Sequence, residues 1–185
     1  MKIETGLDVF LKKEYSKFKK TKIGFLCNQA SVNQELKHAS ELLLNKSLKL
    51  DIGCFIGPQH GIRGEKQDNM VESVDFIDPR SGIPVYSLYG DSRKPTTKIL
   101  NDLETFVIDL QDIGARIYTY IYTMANCLRA CAKHGVDVIV CDRPNPIGGV
   151  DVEGPMLVPG NESFVGQFPI PMRHGMTIGE LARFF

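Results

Sequence analysis

An α/β fold with a mainly parallel sheet and helices on both faces, three layers in all, is the class this sequence predicts. Two observations carry it. Short β-branched and apolar runs at 23–27, 48–56, 84–88, 106–110 and 136–141 alternate with segments of helical spacing, the pattern of parallel strands joined by crossovers. Four of these runs stop on polar clusters: Asn28-Gln29, GPQHGIRGE at 57–65, DLQDIGAR at 109–116 and DRPNP at 142–146. In an open parallel sheet, ligands lie outside the carboxyl ends of the strands. The clusters therefore predict one site along one sheet edge.

Each element follows from local chemistry. Residues 5–18 set Leu7, Phe10, Leu11 and Phe18 at helical spacing among lysines, a short amphipathic helix. After strand 23–27, residues 31–34 offer N-caps for a helix whose face is Ala39, Leu42, Leu43 and Leu44. Beyond strand 48–56, residues 57–82 show no period and are punctuated by glycine and proline. Loops that long inside a domain are generally functional or disordered. Strand 84–88, helix 96–103 and strand 106–110 lead to helix 118–134, whose stripe is Ile121, Met124, Ala125, Leu128, Cys131 and Ala132 and whose stop is Gly135. Strand 136–141 follows, then a stretch rich in proline and glycine. Thr177-Ile178-Gly179-Glu180 is a capping box that opens a last helix. That helix reaches only Phe185 without a C-cap, so residues 1–185 read as the N-terminal domain of something longer. A site at a domain boundary would then be present in half, and the uncovered face could pair two copies in a homodimer.

Bulk composition narrows the partners. The chain has 22 basic and 22 acidic residues, leaving no basic excess to displace counterions from phosphates. Nucleic acid is not an expected partner. No run approaches the roughly 18 consecutive apolar residues of a membrane span, and the N-terminus lacks the apolar stretch of a signal peptide. The chain as written reads as cytoplasmic, without a membrane partner, with export left open. Cys27, Cys54, Cys127, Cys131 and Cys141 read as small buried hydrophobes in a reducing compartment. No histidine stands at zinc-ligand spacing from them, and neither a Walker A loop nor G-x-G-x-x-G is present, so no metal or cofactor is expected.

The polar clusters carry the chemistry. His60 can serve as general acid, general base or plain donor, and Arg63 can hold a carboxylate or phosphate through two N–H groups. Asp109 and Asp112 put two carboxylates at one strand end. Alternatively, Asp112 caps the next helix and Asp109 pairs with Arg116 or Arg143. Prolines stiffen the loop that carries Asp142, Arg143 and Asn145. Arg173 and His174 precede the capping box, where His174 either faces the crevice or lies on the surface. Tyr118, Tyr120 and Tyr122, with Tyr86 and Tyr89, form either a stacking surface for a sugar or part of the core.

Nine segments together resemble the exo-β-N-acetylmuramidase family of peptidoglycan glycosidases, long catalogued as a domain of unknown function. They are Thr5-Gly6-Leu7-Asp8, GFLCNQA at 24–30, GPQHGIRG at 57–64, GIPVYSLYG at 82–90, DLQDIGARIYTYIYT at 109–123, DRPNPIGG at 142–149, VEGP at 152–155, SFVG at 163–166 and PIPMRHGMTIGEL at 169–181. The resemblance spans essentially the whole chain. It implies a Rossmann-like N-terminal domain, a smaller C-terminal domain that this chain lacks, and an active site in the cleft between them. The expected partner is a muramyl sugar or peptidoglycan fragment.

One position departs from the family pattern. Where the family carries a proposed catalytic glutamate in a Pro-Glu-His-Gly motif, this chain has Gln59. An amide cannot exchange a proton at neutral pH as a carboxyl does, and glycoside hydrolysis ordinarily uses two carboxyl groups. Glu65, Asp109, Asp112 and Glu153 are the acids that could substitute. A substrate-assisted route, with the sugar's acetamido group attacking and Gln59 orienting it, needs one fewer. The candidate catalytic residues are thus Gln59, His60, Glu65, Asp109 and Asp112. The candidate substrate-binding residues are Asn28, Arg63, Arg116, Tyr118, Asp142, Arg143, Asn145, Glu153, Arg173 and His174. The expected function is glycosidase-like action on terminal N-acetylmuramic acid, impaired or altered by Gln59; the alternative is a non-catalytic cell-wall-sugar binder.

Overall fold

The computed structural model describes residues 3–64, 72, 74–90 and 92–185. Glu65 lies outside the described residues. A helical segment opens the chain: α1 (Gly6–Val9), a π turn (Phe10–Glu14) and a 3₁₀ turn (Tyr15–Phe18), started by a Thr5–Asp8 capping box. Then come β1 (Lys22–Cys27), α2 (Ala39–Leu42), β2 (Asp51–Gly57), β3 (Phe76–Ile77), β4 (Pro84–Ser87) and α3 (Thr97–Leu100). The remainder is β5 (Thr105–Asp109), α4 (Tyr120–His134), β6 (Asp137–Val140) and α5 (Ile178–Phe184).

The described strands form one sheet of order β3-β4-β2-β1-β5-β6, parallel throughout except for β3 against β4. Side chains alternate between its faces with the two-residue period of a strand. Leu26, Ile56, Phe106 and Ile108 join Leu100, Ile121, Met124 and Leu181 in one core layer, against α3, α4 and α5. Ile23, Phe25, Phe55 and Val107 join Leu7, Phe10, Ala39 and Leu43 in the other, against the opening helical segment and α2. This is a three-layer, Rossmann-like α/β architecture.

Three local expectations are corrected. The cap of α2 is His38, whose ring nitrogen accepts from Ser40 N at 3.2 Å. Ser31 is instead drawn to Asn28 and Asp109, and Asn33 closes its own turn by accepting from Glu35 N and Lys37 N. On α4 the expected Ile121, Met124, Ala125 and Cys131 are buried and Leu128 packs half-buried beside them, but Ala132 is exposed, and Tyr120, Cys127 and Ala130 join the buried set. The element itself starts at Tyr120 rather than Tyr118 and ends on Gly135 at φ 67°, the left-handed stop that glycine supplies.

Candidate functional site

Because β4, β2, β1, β5 and β6 are parallel, the polar segments that follow them gather on one sheet edge. They divide there into two kinds of neighbourhood.

After β1, β5 and β6 the polar groups satisfy one another. Asp109, fully buried, accepts from Arg143 Nε at 2.6 Å and Nη2 at 2.8 Å, and Arg143 Nη2 also reaches the Val32 carbonyl at 3.0 Å. Burial pushes the Asp109 carboxyl up while the guanidinium opposes it; burial likewise works against the charge on Arg143, but the Asp109 carboxylate outweighs it and raises its pKa. Asn28 is buried, donating to the Gln111 carbonyl at 3.0 Å and accepting from Ser31 Oγ at 3.1 Å. Asp142 is spent on α5, accepting from Gly179 N at 2.7 Å and Thr177 Oγ1 at 3.0 Å. Only glycine fits there, since a Cβ on residue 179 would lie 2.6 Å from Asp142 Cγ. Asn145 donates to the Met176 carbonyl at 3.0 Å and accepts from Ile147 N at 3.1 Å.

The other basic candidates are similarly engaged. Arg116 Nη1 straps two loops by donating to the Pro155 and Ile170 carbonyls at 2.9 and 2.8 Å. Arg173 bridges Asp151 at 3.3 Å and Glu153 at 2.9 Å, an exposed pair of small energetic weight. Arg63 faces Asp78 at 3.5 Å and Ser40 Oγ at 3.4 Å. His174 is buried; its Nδ1 accepts from Met176 N at 3.2 Å, so the Nε2–H donates to Asp112 Oδ2 at 3.2 Å. Asp112 Oδ2 also accepts from Gly114 N at 2.8 Å, so it tightens its own turn and does not cap α4, whose N-cap is Thr119. Asp112 Oδ1 is buried without a hydrogen-bond partner among the described residues.

After β2 and β4 the edge opens into a cleft of about 490 Å³. Gln59, His60, Tyr89, Ile117, Tyr118, Thr119, Tyr120, Phe164 and Val165 line it. Gln59 Oε1 accepts from Thr119 Oγ1 at 3.1 Å, which fixes the amide. The turn carrying it is tight: a Cβ on Gly57 would lie 3.2 Å from Gly61 Cα. His60 has φ 73° and Gly61 φ 77°. A non-glycine residue in that region costs about 1–2 kcal/mol, and such strain concentrates at functional sites. Two aromatic pairs form the walls, Tyr118–Tyr120 with centroids 6.4 Å apart and Tyr89–Phe164 with centroids 6.3 Å apart. Tyr118 is 45% exposed, whereas Tyr120 and Tyr122 are core residues. Burial raises the Tyr120 phenol and pushes that of Tyr122 up to about 12.

The structure therefore brings together Gln59, His60 and Tyr118, and adds Thr119, Phe164 and Val165, which sequence reasoning missed. Phe164 lies in a loop with no strand or helix period, so only its place in the SFVG segment marked it. A larger groove of about 670 Å³ runs beside β6 between Val9, Phe10, Phe18 and Ile139. Its walls are mainly apolar, and Asp142, Arg143 and Thr177 also line it. Among the described residues no group of three His, Cys, Asp or Glu side chains could hold a metal ion, and no helix is long and apolar enough to cross a membrane.

Residues 23–185 match the family described as "Exo-beta-N-acetylmuramidase NamZ, N-terminal". The whole chain is 46% identical to the peptidoglycan beta-N-acetylmuramidase NamZ of Bacillus subtilis, and covers 44% of that protein. Two crystal structures of DUF1343 family proteins from Bacteroides fragilis superpose on it. One has a TM-score of 0.86 at 39% identity, over 97% of this chain and 44% of the other. The second has a TM-score of 0.81 at 31% identity, over 98% of this chain and 46% of the other. The chain thus spans less than half the length of these relatives. On sequence and fold alike, the chain belongs to the exo-β-N-acetylmuramidase family, matching its N-terminal part.

Proposed function

We propose that the cleft beside Gln59 receives the terminal N-acetylmuramic acid of a peptidoglycan fragment, in an exo-acting glycosidase whose turnover is impaired or altered by Gln59. The observation that carries this reading is the cleft itself. It sets Gln59 and a strained His60 between two aromatic walls at the carboxyl edge of the sheet. Sugars present flat C–H faces to such rings and hydroxyls to the polar groups between them. The named activity of the Bacillus subtilis relative supports the substrate class.

Among the described residues, none that lines the cleft is a carboxylate. Proton transfer then falls to His60 with Glu65 or Asp112. Asp112 does not line the cleft but has a buried oxygen without a hydrogen-bond partner among the described residues. In a substrate-assisted route Gln59, steadied by Thr119, orients the acetamido group for attack. The same observation favours a second reading, a cell-wall-sugar binder without turnover.

A chromogenic β-N-acetylmuramide and calorimetric titration with N-acetylmuramic acid test both. The first reading expects release above a blank. The second expects binding without release, and release on Gln59→Glu. Absence of both binding and release, before and after that substitution, would sink the cleft as a sugar site.

A further inference from the structure

Arg93 stands apart from the arginines already described. Its guanidinium carbon sits 3.6 Å from the centroid of Tyr89 and 5.2 Å from that of Phe164, two rings that line the cleft. It makes no ion pair with a described carboxylate, and its Nη1 is buried without a hydrogen-bond partner among the described residues. By contrast Arg63, Arg116, Arg143 and Arg173 each hold a carboxylate or backbone carbonyl, although Arg173 Nε is likewise buried without a partner among the described residues. The segment is held in place: Leu88 N donates to the Gly57 carbonyl at 2.8 Å, Tyr89 N to Ser87 Oγ at 3.0 Å, and Asn126 Nδ2 to the Arg93 carbonyl at 3.4 Å.

A buried donor on a cation is costly to leave unmade. Stacking on an aromatic face satisfies the flat side of a guanidinium and leaves its in-plane N–H groups unspent. Those groups match a carboxylate, which takes two parallel N–H bonds in one plane. N-acetylmuramic acid differs from N-acetylglucosamine by a lactyl ether that ends in a carboxylate. We infer that Arg93 is a specificity-determining residue, whose guanidinium reads that carboxylate at the Tyr89–Phe164 wall of the cleft. The inference rests on the muramyl reading above and adds to it the group that separates the two sugars.

Calorimetric titration of the 185-residue protein with N-acetylmuramic acid, N-acetylglucosamine and inorganic phosphate tests this. The expected result is a preference of about tenfold or more for N-acetylmuramic acid, the scale of a charge-assisted hydrogen bond. Arg93→Gln should bring the ratio of the two affinities close to one. Arg93→Lys, which keeps the charge but loses the planar fork, should retain part of it. A change that merely loosens the wall lowers both affinities together and leaves the ratio intact; that outcome, or an unchanged ratio in either variant, overturns the assignment. Should Arg93→Gln not fold, the ratio in Arg93→Lys decides. Equal binding of both sugars by the unaltered protein overturns the role of Arg93 but spares the sugar cleft. Binding of neither sinks the muramyl reading itself. Tighter binding of phosphate than of N-acetylmuramic acid overturns the choice of a carboxylate.

Discussion

The β5–β6 end of the sheet edge and the β2–β4 end begin from the same kind of sequence, a strand running into polar residues, and they end in opposite states. Behind β1, β5 and β6, Asn28, Asp109, Asp142, Arg143 and Asn145 each meet a complementary group, and Asp112 Oδ1 is left without a partner among the described residues. Behind β2 and β4, Gln59, His60 and the aromatic pairs leave a cleft, with Arg93 stacked on two rings of its wall, Tyr89 and Phe164. The difference teaches that a polar residue at a strand end is not evidence of a site until its nearest partners are known. Buried charges seek partners, and where the chain supplies one from a distant segment, nothing is left over for a substrate.

Four experiments press on that contrast. The largest effect belongs to the closed end. Arg143→Ala leaves Asp109 buried and unpaired, and should cost about 3–5 kcal/mol in urea unfolding without changing the sugar affinity of the folded fraction. Full stability with lost sugar binding would put Arg143 in the site and erase the contrast.

Next is Asp78, buried between Arg63 and Ser81. Asp78→Asn should cost about 1–3 kcal/mol at neutral pH. Burial pushes this carboxyl up, but the Ser81 hydroxyl and the Arg63 guanidinium together hold it below the ordinary value. A lowered folded pKa means stability that is full above the unfolded value and lost as pH falls through the folded one. The gap between wild type and variant should therefore persist at neutral pH and narrow below about pH 4. A gap independent of pH would show that Arg63 is not held by this charge.

At the open end, Tyr118→Ala should change stability by no more than about 0.5 kcal/mol, since the residue is 45% exposed. The same change should weaken N-acetylmuramic acid binding by about 1 kcal/mol, roughly fivefold. The reverse, a large stability loss with intact binding, would make Tyr118 a core residue.

The smallest effect expected is none. All five cysteines are buried thiols. Burial pushes Cys54 and Cys131 up to about 12, and Cys127 and Cys141 well above the usual thiol range. An aromatic disulfide reagent at pH 8 should release no signal from the native protein and five equivalents after denaturation. Fast reaction at Cys141 would mean that the end beside Arg143 opens.

The strands were legible to within about three residues because alternation and β-branching act locally: 106–110 became Thr105–Asp109 and 84–88 became Pro84–Ser87. The capping box at Thr177 was legible for the same reason. The partners were not. Asp109 and Arg143 are 34 residues apart, and His174 and Asp112 are 62 apart. Pairing Asp109 with either Arg116 or Arg143 was as far as the residue types could go. The fold gave Arg116 to the Pro155 and Ile170 carbonyls and left Arg143 for the acid. Phe164 and Arg93 carried no periodic signal at all; their meeting over Tyr89 depends on how two irregular segments pack.

By itself the sequence determined the α/β layering, the direction of the strands and the edge on which polar groups collect, because these follow from the period of hydrophobic burial and the geometry of crossovers. Its motifs also determined kinship with the muramidases. Only the tertiary structure decided which polar residues neutralise one another and which stay open to a ligand. That choice depends on distances between segments far apart in the chain, and electrostatic and hydrogen-bond energies act at a few ångströms regardless of sequence separation.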